Sequence, residues 1–111
     1  MSQEKPSVEE FWKFNLRVGL IKEAERVPKS RKLIKLVVDF GDCVKTALAG
    51  LGDVFKPEDL VGKKFIFVTN IRPKKAFGIE SQVMILVAED DKGNEYLLPV
   101  SDEVPIGSKV Y

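Results

Sequence analysis

Two short turns carry an unusual density of cations. Lys29, Arg31 and Lys32, with Lys35 just beyond, lie in "PKSRKLIK", and Arg72, Lys74 and Lys75 lie in "NIRPKK". Arginine can fork two N–H donors onto phosphate oxygens, and lysine supplies a mobile point charge. A connection between two strands needs turn residues and has no need of three cations, so the pattern suits a polyanion. If the seven converge after folding, about 4–6 phosphates would be neutralised, and affinity would fall roughly 10²–10³-fold between 50 and 200 mM salt.

Catalysis has little to work with. The chain contains no histidine, so no imidazole can serve as a general base near pH 7 and no Cys/His cluster can hold zinc. The best constellation is Asp39, Asp42 and Asp53, the first two flanking a turn and the third in a loop. Acidic turn residues without a nucleophile–base pair do not make an active site. The expectation is a protein that is not an enzyme and needs no metal or cofactor.

Charge is segregated along the chain. Residues 1–28 are net neutral, residues 29–75 carry a net +6, and residues 76–111 a net −5, within an overall +1. Such separation predicts a two-sided surface on which one region attracts phosphates. At 111 residues, with 44% hydrophobic and 32% charged, the chain fits one domain, residues 1–111, around one core. The opening "MSQEKPSVEE" lacks the apolar run of a secretory signal, and no apolar stretch approaches the roughly 20 residues of a membrane span. The lone Cys43 cannot form an internal disulfide. These features lead to an expected cytoplasmic address with no membrane partner.

The cations must be positioned by strands. Ser7 and Glu10 fit a capping box opening a short helix over 8–13, with Val8, Phe11 and Trp12 on one face. From Phe14 the period becomes two, predicting a first strand to about Val27, and Gly19 marks a bulge or bend where the alternation slips. "KLIKLVVDF" and "CVKTALAG" read as strands joined at Gly41-Asp42. Pro57 to Leu60 reads as one helical turn before a fourth strand, "KKFIFVTN". "SQVMILVAED" reads as a continuous fifth strand covered on both faces, followed by a turn at 91–94 and short C-terminal strands. The predicted class is all-β: a five-stranded OB-fold barrel with a short N-terminal helix, a one-turn helix between strands 3 and 4, and extra C-terminal strands.

With those pieces in place, the chain resembles the tRNA-binding domain of the methionyl-tRNA synthetase β-subunit type. That family includes endothelial-monocyte-activating-polypeptide-like domains and the CsaA chaperone. The matching words are "LRVG" at 16–19, "RKLIKLVVDFG" at 31–41, "KPEDLVGKK" at 56–64, "NIRPKK" at 70–75, "GIESQVM" at 78–84 and "EVPIGSKVY" at 103–111. The resemblance implies non-catalytic, structure-selective binding of tRNA in trans with an aminoacyl-tRNA synthetase, methionyl type first, by a homodimer. The alternative it carries is a CsaA-like export chaperone for unfolded polypeptide. It also implies RNA contacts at Lys32, Asn70, Arg72, Lys74, Ser81 and Met84, alongside the cations already named. Val83 departs from the small residue common in the pattern and suits a groove for a different ligand.

Three further readings come from the residues. A spacing of three places Ser81 and Met84 on opposite faces of a regular strand, so both reach one ligand only if the chain bends near Gln82. Phe40, Phe65 and Phe67 are spaced as core residues, which leaves Phe77 as the exposed candidate for base stacking. Phe11, Trp12, Val104, Ile106 and Tyr111 are apolar residues at the chain ends, surplus to a small barrel, and are expected to form the dimer interface.

Overall fold

The computed structural model describes residues 4–111. Ser7 and Glu10 form the capping box, the Glu10 amide donating to Ser7 Oγ and the Ser7 amide to Glu10 Oε1. The helix they open, α1 (Val8–Phe11), is only four residues long and buries none of them. It is shorter than the 8–13 expected, because nothing in the barrel packs on it to sustain a second turn.

The barrel is built from β1 (Leu16–Arg26), β2 (Ile34–Asp39), β3 (Val44–Ala49), β4 (Lys64–Val68) and β7 (Met84–Ile85), in the order β3-β2-β1-β4-β7. A 3₁₀ turn at Pro57–Asp59 bridges β3 and β4. All pairings are antiparallel, and β1 is long enough to pair with β4 through its first half and β2 through its second. The bend that lets one strand serve both neighbours falls between Ile21 and Glu23, where the β1–β2 register shifts. Gly19, expected to mark that bulge, keeps regular register opposite Phe65. Its role is close approach: a Cβ there would lie 2.5 Å from Val38, 2.8 Å from Phe40 and 2.9 Å from Phe67.

Those rings form the core. Phe40, Phe65, Phe67, Ile21, Ile34, Leu36 and Val38 are fully buried, and Phe40 meets Phe67 edge-to-face at 5.6 Å. Among the described residues no polar side chain is buried, so the interior is an apolar plug. At its rim, Arg17 donates to the carbonyls of Gly107 and Phe40 and pairs with Asp42 at 3.1 Å, tying the C-terminal segment down. The Arg17 guanidinium holds the Asp42 carboxyl below the usual carboxylate range.

The expected fifth strand is broken. Residues 81–90 divide among the end of β6 (Ile79–Ser81), β7 and β8 (Val87–Glu89), and Met84 is 46% exposed, so this segment is not covered on both faces. Ahead of it, β5 (Lys74–Ala76) pairs with β6 in a hairpin, where the sequence predicts only a connection between strands. On the far side, β8 pairs with β9 (Glu95–Leu97) around the 90–94 turn, and β10 (Lys109–Val110) returns to pair with Leu16 and Arg17. In that turn, hydrogen bonds from the Asn94 side chain, the Asn94 and Lys92 amides and the Tyr96 hydroxyl hold the Asp90 carboxyl down at about 2.

Candidate nucleic-acid interface

The β5–β6 hairpin places the second set of cations. Lys74 stands opposite Ser81 and Lys75 opposite Glu80, closed by the two-residue loop Phe77-Gly78. Both loop residues have positive φ, +52° and +76°, which is the type I′ geometry that matches strand twist. At its base the chain bends at Gln82–Val83. Ser81 and Met84 therefore reach the same groove in spite of their spacing.

That groove, about 490 Å³, is lined by Arg72, Lys74, Lys75, Ser81 and Met84 over a floor that includes Leu33, Leu48, Ile71 and Val83. Val83 is 1% exposed and belongs to the floor. A recess of about 520 Å³ lies between the first basic turn and the hairpin tip, bounded by Lys29, Ser30, Arg31, Lys32, Asp53 and Phe77. Leu33 and Ala76 also line the groove, and their chain neighbours Lys32 and Phe77 line the recess, so the two hollows are neighbours.

The first turn is held as firmly as the second. Ser30 N–H donates to the Val27 carbonyl at 3.1 Å, with Pro28 and Lys29 between and Lys29 at φ +70°, a type II turn. Ser30 Oγ then accepts from the Leu33 amide. Gly52 packs on this turn so closely that a Cβ would lie 2.9 Å from the Arg31 carbonyl and 2.8 Å from that of Lys32, to which its own N–H donates at 2.7 Å.

Two expected contact residues have their polar atoms engaged within the protein. Asn70 Oδ1 accepts from the Asn15 amide and Nδ2 donates to the Lys13 carbonyl, clasping the start of β1 to the loop. Ser81 Oγ accepts from the Leu48 amide at 3.0 Å and donates to the Val83 carbonyl at 3.2 Å. Beside it the Thr46 amide donates to Gln82 Oε1 while the Gln82 amide donates to the Thr46 carbonyl. Side chains thereby close the barrel along β3. Ser81→Ala should leave the half-buried Leu48 N–H unpaired and cost about 1 kcal/mol, read as a lowered urea midpoint with unchanged slope. An unchanged midpoint would mean that the clasp contributes nothing.

Lys35 stands apart from both hollows. It lies in the β1–β2 ladder opposite Glu25, with Nζ 3.9 Å from that carboxylate. The three aspartates do not assemble: Asp39 caps the Gly41 amide, Asp42 faces Arg17, and Asp53 sits in the recess.

The expected interface residues form a partial set. Phe11, Trp12 and Tyr111 are exposed, as are Val8, which shares the helix face of Phe11 and Trp12, and Phe14. Trp12 and Tyr111 line one shallow hollow. Val104 and Ile106 are half-buried, Ile106 facing Gly41 and the Val104 carbonyl accepting from Lys64 Nζ.

The family described as "Putative tRNA binding domain" matches residues 16–109. A methionine–tRNA ligase from Methanocaldococcus jannaschii is 52% identical over 98 residues, which are 88% of this chain and 15% of that protein. This chain therefore spans about 15% of the length of the curated relatives it matches. Among solved structures, a MetRS related protein from Pyrococcus horikoshii superposes with a TM-score of 0.95 at 51% identity, over 96% of this chain and 98% of that one. The chaperone CsaA of Bacillus anthracis superposes with a TM-score of 0.86 at 32% identity, over 96% and 99%.

Proposed function

We propose, for a chain that belongs to the tRNA-binding domain family, that its two basic turns form one docking face for the ribose-phosphate backbone of folded tRNA. The observation that supports this is the pair of neighbouring hollows, one bordered by Lys29, Arg31 and Lys32 and the other by Arg72, Lys74 and Lys75. Phosphate contacts fix register without reading sequence, so a surface of this kind selects RNA by shape. The protein acts without catalysis, delivering tRNA to a synthetase of the methionyl type in the cytoplasm. Support for the methionyl type comes from the MetRS related protein of P. horikoshii, which is 51% identical to this chain. Retardation of unfractionated tRNA in a native gel at low salt is the test; an unshifted band rejects the reading.

The face opposite in chemistry supports a homodimer. Trp12 is 58% exposed and Tyr111 85%, next to a helix all of whose residues are exposed. Contiguous aromatic surface of this kind is suited to a subunit interface, and two docking faces would raise avidity for one large RNA. Sedimentation should give a dimer mass for the wild type and a monomer mass for Trp12→Lys; a wild-type monomer at micromolar concentration would refute the dimer.

One observation favours a second reading. The floor of the groove beside Arg72 is apolar, and the CsaA chaperones superpose closely. An extended polypeptide could lay side chains on Leu33, Leu48 and Ile71. Phe77 lines the other recess and is not part of this groove. Suppressed aggregation of an unfolded client without tRNA retardation would select this reading.

A further inference from the structure

Backbone strain is concentrated in one place. Among the described residues only two that are not glycine have positive φ, Lys29 at +70° and Phe77 at +52°. Both line the same recess. Type I′ and II turns normally put Gly or Asn at such positions, and an aromatic side chain there is an outlier. Phe77 gains no burial in exchange, since it remains 57% exposed at the hairpin tip. Strain held without compensating packing points to a ligand that uses the side chain.

The lining of the recess carries a second anomaly. Among the described residues the exposed Asp53 has no hydrogen-bond or ion-pair partner, although Lys29, Arg31 and Lys32 border the same space. A carboxylate amid cations weakens phosphate binding, so it needs another purpose. Its place is fixed, because the close contact of Gly52 with Arg31 and Lys32 seats the loop, and Arg26 also donates to the Gly52 carbonyl.

We propose that this recess captures one unstacked nucleobase of the RNA, with Phe77 stacking on its face and Asp53 selecting guanine. Stacking on an aromatic ring tolerates any base. The carboxylate supplies the discrimination. It accepts from guanine N1–H and N2–H together, and from one amino hydrogen of cytosine or adenine. The single N3–H of uracil is flanked by carbonyl oxygens that a carboxylate repels. The flanking lysines and arginine hold the adjacent phosphates. The recess volume falls within the ~300–1,000 Å³ of small-ligand sites. This inference rests on the tRNA reading above.

The decisive variant is Phe77→Asn, because Asn-Gly is the preferred pair for this turn. Its melting temperature should equal or exceed that of the wild type, while affinity for unfractionated tRNA falls about 10-fold to 100-fold with an unchanged salt slope. Phe77→Trp should retain affinity. Wild-type affinity in Phe77→Asn would overturn the stacking site alone, whereas a wild type that fails to bind tRNA rejects the broader reading. NMR titration with GMP and with UMP separates the base from the polymer. GMP should shift the amides of Asp53, Phe77 and Gly78 more than UMP does, and Asp53→Asn should remove the difference. Equal shifts in the wild type would overturn the choice of guanine.

Discussion

Raising salt from 50 to 200 mM should weaken the complex with tRNA roughly 10²–10³-fold. The figure follows from the six cations that border the two hollows, of which about 4–6 would meet phosphates at once. Lys35 is left out of the sum, since Glu25 stands opposite it in the ladder. Each neutralised phosphate releases condensed counterions, so the logarithm of affinity should fall linearly with that of salt. Arg72→Ala and Lys32→Ala should each reduce the slope by about one. Combined, they should reduce it by about two, because they act from separate turns on one backbone. A flat salt dependence would contradict the docking face and shift attention to the apolar floor of the groove. Filter binding at four or five salt concentrations is enough to decide.

Gly19→Ala should destabilise the barrel by about 1–3 kcal/mol, and Gly19→Val should prevent stable folding. A Cβ at this position meets Val38 at 2.5 Å, Phe40 at 2.8 Å and Phe67 at 2.9 Å. All three are fully buried and pinned by neighbouring strands, so none can yield cheaply. For a domain of this size each kcal/mol lowers the melting temperature by about 4–8 °C, which thermal circular dichroism resolves. Gly50→Ala is the control, as nothing lies within 4 Å of a Cβ built there. Equal melting temperatures for the two alanine variants would show that the core is not packed as described.

Several elements could be read directly from the chain. The capping box follows from Ser7 and Glu10 alone, because its bonds join residues three apart. The first four barrel strands follow from alternation, and the positions of Phe40, Phe65 and Phe67 from their periodicity. What local pattern misjudged was the segment from Arg72 to Glu89. Apolar content suggested one continuous strand, but Gln82 turns aside to bond with Thr46, a partner 36 residues away. The hairpin was missed because its tip uses Phe at a left-handed position, where turn chemistry predicts Asn or Gly. In the sequence Asp53 belongs only to an acidic trio with Asp39 and Asp42, and it is the contact of Gly52 with Lys32 that seats it among the cations.

By itself the sequence determined the class of barrel, the residues that fill it and the presence of two cation-rich turns, since periodicity and composition act over a few residues. Only the tertiary structure decided that the hollows bordered by those turns are neighbours, that Lys35 and Asn70 are occupied elsewhere, and that Phe77 and Asp53 line one recess. Such facts depend on strand register and on side chains far apart in the chain, and no local propensity encodes that distance.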